Sequence, residues 1–595
     1  MCGIVGYVGD DGVLEVLMDG LSGLEYRGYD SAGIAMAESS ISVHKRQGDI
    51  SALEEALPDG SVEATAGIGH TRWSTHGPPS DANAHPHTDE SGRVAVVHNG
   101  IIENYQQLRD DLEAAGHSFD SDTDTEVVPH LIAAARDDGA DRESAFRRAI
   151  GRLEGSYAIA VVFSGSETVY AARNESPLVL GVGDDGHYLA SDVPAFIEYT
   201  DRIIYLDDGE FARIDESTVV VTDTDGTVVD TSIETVEWDA EDAGKSGYDH
   251  YMLKEINEQP TAVRQCCGER VSELERTIDV DSLSALSVPE RVQFVACGTS
   301  YHAALYGARL LRERGVPATA FLASEYDTAT LPVDESTLVV GVTQSGETAD
   351  TMGALRGANG AGATTLAVTN VVGSSAARTC DHVMYVRAGP EIGVAATKTF
   401  VSQQIALAML ACELTDEYDD DLVEALRDLP DKLQSILDSS SGREIAREYL
   451  EADAYFFIGR GYNAPVALEG ALKMKEITYK HAEGFPAGEL KHGPLALVTD
   501  RTPVFALVTA GSNPTKTIGN VKEVETRGGP VVAVTDGCDD VARYADHVLE
   551  VPETHSALAP VLGNVQLQLV SYWVANELGR SIDKPRNLAK SVTVE

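Results

Sequence analysis

The chain has 595 residues, and its 45 basic against 96 acidic residues give a formal net charge of -51 at pH 7. This length predicts three or more domains, and so acidic a surface excludes nucleic acid and anionic membranes as expected partners. The acidic residues are spread along the whole chain, which is typical of a solvated surface suited to high salt, where self-repulsion is screened.

The cysteines of the chain number 7, at positions 2, 266, 267, 297, 380, 412 and 538. Their odd number and irregular spacing predict reduced thiols in a cytoplasmic protein, without a metal site or a cofactor. The first residues lack the pattern of a signal segment, and no apolar run approaches the ~18 residues of a membrane helix. We therefore expect a soluble intracellular protein.

Cys2 directly follows the initiator methionine. If Met1 is removed, a thiol and a free α-amino group share one residue, and unperturbed groups of these kinds titrate near ~8.5 and ~7.7 to 8.0. The amine can then take the thiol proton near neutral pH, which is the arrangement of an N-terminal nucleophile. The alternative is that Cys2 is a small buried residue at the edge of a strand.

The first predicted elements are an apolar strand over residues 4–8 and a helix over 13–24, where apolar residues recur at helical spacing. Residues 67–78 are rich in Gly and polar side chains and are predicted to form a loop that presents Arg72 and Trp73. Loops on a rigid scaffold carry most ligand contacts. The alternative is a turn whose Arg and His only cap neighbouring elements.

Two further polar stretches follow. The predicted strand 94–97 ends in His98-Asn99-Gly100, where Asn-Gly is either a hairpin turn or a side-chain amide beside a glycine N–H that together hold an oxyanion. Residues 121–126 offer hydroxyls and carboxylates before an apolar helix. They are either a simple helix N-cap or part of a binding site.

Taken together, residues 2–6, 70–73, 98–100 and 123–126 resemble, in order and separation, the glutaminase domain of the class II (N-terminal-nucleophile) glutamine amidotransferases. The resemblance implies an α+β sandwich of antiparallel sheets and helices. It implies that Cys2 attacks the side-chain amide of glutamine and that Asn99 and Gly100 hold the oxyanion. The glutamine-binding residues that it implies are Arg72, Trp73, Thr75, His76 and Asp124.

The glutaminase domain is predicted to span residues 2–219, and 220–250 to form an acidic linker. A helical pattern then covers 251–277. The second half contains an internal repeat, because residues 294–298 and 342–346 are echoed by 457–461 and 508–511. Apolar strands that each end in a Gly- and hydroxyl-rich turn before a helix predict parallel α/β domains, which we place at 251–430 and 431–595.

The predicted strand 338–342 runs into Thr343-Gln344-Ser345-Gly346-Glu347-Thr348 and then a helix, and Cys297-Gly298-Thr299-Ser300 repeats this pattern. Backbone N–H groups and the helix dipole make such a turn a phosphate site. The alternative is ordinary capping. Because the chain lacks a Walker lysine and a GxGxxG motif, a phosphosugar is favoured over a nucleotide.

Glu469, Lys473 and Glu476 fall on one face of a predicted helix. Alone they would be an exposed ion-pair row, but a loop dense in titratable groups, 488–494, follows them and contains His492. The repeat and these motifs resemble two SIS-type sugar isomerase domains. With the glutaminase domain, they make nearly the whole chain resemble the glutamine:fructose-6-phosphate aminotransferases, also called glucosamine-6-phosphate synthases.

This resemblance implies glutamine and fructose 6-phosphate as substrates and a homodimer. It implies that Lys590 forms a Schiff base with the sugar, that Glu476 moves a proton between C1 and C2, and that His492 opens the ring; Glu469 and Lys473 are further candidates. The sugar-phosphate-binding residues that it implies are Thr299, Ser300, Thr343, Gln344, Ser345, Thr348, Val394 and Ala589. Other amidotransferases and a non-catalytic sugar-phosphate-binding regulator remain as alternatives.

A chain that joins a glutaminase to a sugar site has a physical reason to enclose the ammonia between Cys2 and Lys590, because ammonia released to water becomes mostly ammonium. Trp73, beside Arg72, is large enough to plug a narrow passage. The alternative is that Trp73 simply packs beneath its loop.

If the net charge of -51 reflects a halophilic surface, we predict that the melting temperature rises steeply between about 0.1 M salt, where the Debye length is ~10 Å, and about 1 M, where it is ~3 Å. Calorimetry or circular dichroism across this range tests the prediction. A melting temperature independent of salt would refute it.

Overall fold

The computed structural model describes residues 2–10, 12–57, 64–74, 76–236, 244–272, 276–286, 288–415, 419–537 and 539–593. The chain divides into two compact units. The first comprises the described residues of Met1–Ala243 together with those of Ala589–Glu595, and the second comprises those of Gly244–Leu588.

The first unit is built mainly from antiparallel strands. Its strands are β1 Gly3–Gly9, β2 Ser31–Ala37, β3 Ile41–Gln47, β4 Ala66–Arg72, β5 His87–Thr88, β6 Val94–Ile102, β7 Gly155–Phe163, β8 Val169–Asn174, β9 Val179–Val182, β10 Gly186–Ala190, β11 Arg202–Tyr205, β12 Phe211–Ile214, β13 Val219–Thr222 and β14 Glu234–Thr235. Its helices are α1 Val13–Gly23, α2 Ile50–Glu54, α3 Tyr105–Ala114, α4 Val127–Asp137 and α5 Arg142–Ile150.

These strands form two sheets, in the orders β14-β11-β9-β10-β1-β4-β2-β3 and β13-β12-β8-β7-β6-β5. Ile4 and Ile68 of the first sheet share one buried apolar cluster with Val97 and Ala160 of the second, so the sheets pack face to face. Helices α3 to α5 cover the other face of the second sheet through residues such as Phe146. The predicted sandwich of antiparallel sheets and helices is confirmed.

The prediction of a loop over 67–78 is wrong for its first half, because strand β4 continues through Arg72 and pairs with both β1 and β2. The glycines that suggested a loop instead make room for helix α1. A Cβ at Gly67 would lie 2.8 Å from the side chains of Val13 and Leu17, and one at Gly69 would lie 3.2 Å from that of Leu21. The loop begins at Trp73.

The interpretation of Asn99-Gly100 as a hairpin turn is also wrong. Strand β6 continues to Ile102 and pairs with β7 throughout, with Asn99 opposite Ala158 and Gly100 opposite Tyr157. Gly100 has a φ of 127°, and a Cβ there would lie 2.0 Å from the carbonyl oxygen of Ser156. Only glycine fits this position.

The region expected to be an acidic linker begins inside the first unit. Strand β13 reaches Thr222, and β14 pairs with β11 through Ile203 and Arg202. Residues 237–243 of the predicted linker lie outside the described residues. The predicted helical pattern of 251–277 ends early, because the helix stops at Cys267 and two short paired strands follow.

The second unit alternates strands and helices. Its strands are β15 Val271–Ser272, β16 Thr277–Ile278, β17 Arg291–Ala296, β18 Ala318–Leu322, β19 Thr337–Thr343, β20 Thr364–Thr369, β21 His382–Tyr385, β22 Ala454–Gly459, β23 His481–Pro486, β24 Val504–Val508, β25 Val531–Thr535 and β26 His547–Glu550. Its helices are α6 Tyr251–Cys267, α7 Gly298–Glu313, α8 Ala349–Gly360, α9 Ser375–Thr379, α10 Lys398–Glu413, α11 Asp420–Ser439, α12 Gly442–Glu448, α13 Asn463–Thr478, α14 Pro514–Glu525, α15 Asp539–Ala542 and α16 Ala559–Glu577.

Two parallel sheets form the centre of this unit, in the orders β18-β17-β19-β20-β21 and β23-β22-β24-β25-β26. In each sheet the second strand in chain order lies at one edge, and the first strand in chain order lies beside the third. The internal repeat of the sequence is therefore also a repeat of sheet topology. The predicted parallel α/β domains are confirmed. In such sheets ligands bind where the strand order reverses, at the carboxyl ends of the first and third strands.

No helix in the described part of the chain is long and apolar enough to cross a membrane.

Candidate active sites

Cys2 lies immediately before strand β1, next to the loop that follows β4. The backbone N–H of Trp73 donates to its Sγ at 3.2 Å, and Sγ lies 3.4 Å from the carbonyl oxygen of Trp73. The Nε of Arg27 donates to the Cys2 carbonyl at 3.2 Å. Both the thiol and the backbone of the predicted nucleophile are therefore held in place.

Asn99 reaches Cys2 from strand β6. Its Nδ2 donates to the carbonyl oxygen of Cys2 at 2.9 Å and to the Oγ of Ser191 at 2.8 Å. Its Oδ1 lies 3.0 Å from Nε2 of His70. The amide is therefore oriented with its nitrogen toward the nucleophile, as an oxyanion donor requires.

His70 determines that orientation, although sequence reasoning gave it no role. Its Nε2 lies 3.0 Å from both the carbonyl oxygen of His98 and Oδ1 of Asn99. Both are acceptors, so Nε2 must carry the proton. Burial, followed by the charge of Arg72, lowers the pKa of His70 to about 3. The imidazole thus stays neutral.

Arg72, at the end of β4, is 3% exposed. Its Nη2 donates to the carbonyl oxygens of His76 and, at 3.2 Å, of Gly77. Its Nη1 is buried without a hydrogen-bond partner among the described residues. Burial lowers the pKa of the guanidinium from its ordinary value. A buried cation with an N–H donor that has no acceptor is suited to bind a carboxylate ligand.

Three of the other predicted glutamine-binding residues lie in the described part of the chain. Asp124 is buried, and its Oδ2 accepts from the N–H of Ile102 at 2.9 Å. The Trp73 indole packs edge-on against Tyr29, with ring centroids 5.5 Å apart. His76 packs edge-on against Tyr105 at 5.6 Å. Thr75 lies outside the described residues.

Residues 121–126 do not form a simple N-cap for α4. Glu126 stands at the N-cap position without a side-chain cap bond. Its carboxylate instead accepts from the backbone N–H groups of Asp120 and Ser121, both at 2.8 Å. These bonds hold the segment that carries Asp124.

In the second unit, Glu469, Lys473 and Glu476 share one face of α13, as predicted, but they are not an exposed row. Lys473 is 1% exposed and its Nζ lies 3.3 Å from Glu469 and 2.5 Å from Glu476. Burial would lower the pKa of Lys473, but the two carboxylates raise it above its ordinary value. The ammonium is therefore charged.

The two carboxylates differ in their surroundings. Burial would raise the pKa of Glu469, but Lys473 and a hydrogen bond from His302 bring it below its ordinary value. For Glu476 burial prevails and raises the pKa, and Lys473 only partly offsets this. One carboxylate is held ionised while the other takes up a proton more easily, as a proton carrier requires.

The predicted phosphate turns lie where the strand order of the first parallel sheet reverses. The Oγ1 atoms of Thr343 and Thr348 are 3.2 Å apart, and Thr343 Oγ1 accepts from the N–H of Gly346 at 3.2 Å. The Oγ of Ser345 accepts from the N–H of Glu347 at 3.1 Å. Gln344 uses its carbonyl to accept from the N–H of Asn370 at 3.1 Å.

The turn after β17 brings two more predicted residues to this end of the sheet. Thr299 donates to Oε1 of Glu469 at 3.0 Å, and Ser300 Oγ accepts from Gln403 at 2.9 Å. Thr299 therefore links the predicted phosphate site to the charged face of α13.

The other predicted sugar-site residues lie on three further segments. Val394 is buried and its N–H donates to the carbonyl of Asp583 at 3.1 Å. His492 is exposed at the end of the short helix Glu489–His492. Ala589 and Lys590 belong to the segment Ala589–Glu595, which groups with the first unit, so their part in a sugar site stays a prediction.

Comparison with known proteins agrees with both halves of this arrangement. The glutamine amidotransferase domain model matches residues 70–198, and the SIS domain model matches 285–412 and 448–578. The glutamine–fructose-6-phosphate aminotransferase (isomerizing) of Halobacterium salinarum is 52% identical over 608 residues, which cover 100% of both chains. The chain belongs to the glutamine–fructose-6-phosphate aminotransferase (isomerizing) family.

Other members of this aminotransferase family are similar over the same extent. That of Methanothermobacter thermautotrophicus is 47% identical over 601 residues and 100% of both chains. The solved C-terminal domain of glucosamine-fructose-6-phosphate aminotransferase from Francisella tularensis is 36% identical, with a TM-score of 0.53, and covers 57% of this chain and 99% of that one.

We predict that His70→Leu in this aminotransferase lowers kcat for glutamine hydrolysis by about 10²- to 10³-fold, the cost of losing one oxyanion donor, because Asn99 loses the bond that orients it. KM for glutamine should change little, because Arg72 and Asp124 remain. His70→Gln, which keeps a donor near Nε2, should recover most of the loss.

His187→Leu is the matched control, since His187 is also buried in the first unit but pairs with Val8 and Val182 across its strands. Steady-state glutaminase kinetics compare the variants. A His70→Leu enzyme with the kcat of the control would show that His70 does not orient Asn99.

Proposed function

We propose that this chain transfers the amide nitrogen of L-glutamine to D-fructose 6-phosphate and yields D-glucosamine 6-phosphate and L-glutamate. The observation that carries this conclusion is the 52% identity to the glutamine–fructose-6-phosphate aminotransferase of Halobacterium salinarum over the full length of both chains. The geometry supports it, since each unit holds a cluster of buried polar side chains of the type that its half-reaction needs.

In the glutaminase half we propose Cys2 as the nucleophile, with its own α-amino group as the base once Met1 is removed. The thiolate adds to the amide carbon of glutamine. Asn99 and the N–H of Gly100 hold the resulting oxyanion, and the intermediate collapses to a thioester with loss of ammonia. Water hydrolyses the thioester to glutamate and restores the thiol.

The buried Nη1 of Arg72 supports its assignment to the α-carboxylate of glutamine, which would supply the missing acceptor. We propose Asp124 for the α-amino group, because its carboxylate is buried and lies on the segment held by Glu126. Trp73, Thr75 and His76 would complete this binding site.

In the isomerase half we propose that the hydroxyl-rich turns after β17 and β19 bind the sugar phosphate, through Thr299, Ser300 and residues 343–348. The proposed roles of Lys590, His492, Val394 and Ala589 rest on the family resemblance. Lys590 condenses with the C2 carbonyl to form an imine and water, and ammonia then displaces the Lys590 amine to give a C2 imine. Glu476 carries a proton from C1 to C2 while the proton of the C1 hydroxyl passes to the imine nitrogen, which leaves an amine at C2 and an aldehyde at C1.

Several finer assignments also belong to this proposal. They are the domain bounds 2–219, 251–430 and 431–595, a cytoplasmic homodimer, and a protected passage for ammonia gated by Trp73.

Cys2→Ala should abolish glutamine hydrolysis but leave the isomerisation of fructose 6-phosphate within about twofold of wild type, because Cys2 belongs to the first unit and takes no part in the sugar chemistry. A protein with a blocked amino terminus should behave likewise, because it lacks the free amine that serves as base. Glutamate and sugar phosphates are measured separately. Full glutaminase activity in protein shown by mass spectrometry to retain Met1 would overturn the N-terminal-nucleophile mechanism.

A further inference from the structure

His302 is a polar residue of the second unit to which neither the sequence motifs nor the proposed mechanism gives a role. It lies on the second turn of α7, the helix that follows the first strand of the first parallel sheet. Its imidazole is 14% exposed, and its Nδ1 lies 2.7 Å from Oε2 of Glu469, a carboxylate that is 0% exposed. Helix α7 packs against α13 at this point.

This contact begins a continuous chain of polar groups. Glu469 uses Oε2 for His302 and Oε1 for both Thr299, at 3.0 Å, and Lys473, at 3.3 Å. Lys473 in turn lies 2.5 Å from Oε2 of Glu476. His302 is thus two side chains away from the carboxylate proposed to move the proton.

The protonation states of these hydrogen-bonded groups can be assigned from their partners. The pKa of Glu469 is below its ordinary value, so its carboxylate is an acceptor, and His302 must donate from Nδ1. Removing this donor would leave a buried carboxylate with one lone pair unsatisfied, which is costly in a site of low polarity. Glu469 would then have to rotate, and Lys473 would lose its fixed position against Glu476.

His302 also contributes to the charge balance around Glu476. Two carboxylates face one ammonium in this buried cluster, where burial raises the pKa of Glu476, and a positive charge on His302 acts in the opposite direction with a smaller effect than Lys473. The other charged groups acting on Glu476 are Lys473, which lowers its pKa, and Glu469, which raises it.

The remaining elements packed on α13 add little charge near this cluster. Strands β22 and β24 carry no charged residue. On β23, His481 and Glu483 face each other at 3.7 Å, and on α16, Glu577 is held by Arg447 at 2.8 Å.

We propose that His302 is a positioning residue of the isomerase site, which holds Glu469 against Lys473 and thereby places the carboxylate of Glu476 for proton transfer between C1 and C2 of the sugar. This inference rests on the proposed role of Glu476. It goes beyond that role because it assigns the orientation of the proton carrier to a residue on a different helix, from the other copy of the repeat.

Two substitutions separate the hydrogen bond from the charge. His302→Leu removes both, whereas His302→Asn can place an amide N–H where Nδ1 lies but cannot become a cation. His547→Leu is the control, since it removes a histidine–glutamate pair of similar length, 3.0 Å, on strand β26. Each full-length enzyme is assayed for glucosamine 6-phosphate formation with both substrates saturating, across pH, with glutaminase activity as the check that the first unit is intact.

His302→Leu should lower kcat by about tenfold or more, which is part of the roughly 10²- to 10⁴-fold that a positioned acid–base group contributes, with little change in KM for fructose 6-phosphate. The acidic limb of its plot of kcat against pH should move to higher pH, because Glu476 loses a nearby positive charge and takes up a proton more readily. His302→Asn should recover kcat on the plateau but keep the shifted limb. The control should match wild type.

The outcomes distinguish the proposed role of Glu476 from that of His302. If Glu476→Gln keeps full kcat, the proposed role of Glu476 fails. If Glu476→Gln is inactive but both His302 variants have the kcat and acidic limb of wild type, the role of His302 fails. If His302→Leu does not fold, as judged by its melting curve, His302→Ala takes its place, since it also removes the Nδ1 donor to Glu469. A folded Ala variant with the kcat of wild type overturns the proposal.

Discussion

Burial of charge is the constraint on which both units depend. Arg72 and Lys473 are cations held almost completely out of water, at 3% and 1% exposure. A buried charge costs several kcal/mol unless opposite charges and hydrogen bonds compensate it. The protein meets this cost in two ways, because Lys473 is fully compensated by two carboxylates, whereas Arg72 keeps one donor nitrogen without a partner in the described structure.

That difference suits two different kinds of chemistry. In the glutaminase unit, the incomplete compensation of Arg72 favours an anionic ligand, which would supply what the protein leaves out. In the isomerase unit, Lys473 is paired with both carboxylates, and its charge lowers the pKa of Glu476 against the effect of burial. The glutamine binding proposed for Arg72 and the proton transfer proposed for Glu476 thus both depend on how a buried cation is compensated.

Features of the fold that depend on short stretches of sequence were predicted correctly. The turn at 343–348 and the charged face of α13 were found because strand–turn–helix and i, i+4 patterns are short-range. The strand β4 was mistaken for a loop, since its glycines reflect the packing of α1 from elsewhere in the chain. His70 and His302 received no role for a related reason. Each acts through a partner distant in sequence, Asn99 or Glu469, and such contacts leave no local pattern.

The central claim is that the nitrogen of glutamine reaches the sugar through this one chain. Glutamine labelled with ¹⁵N in its amide, supplied with fructose 6-phosphate and an excess of unlabelled ammonium, tests it directly when the glucosamine 6-phosphate is analysed by mass spectrometry. The account predicts a product amine that carries the label almost completely. A product with unlabelled nitrogen, or glutamine hydrolysis without any glucosamine 6-phosphate, would contradict it.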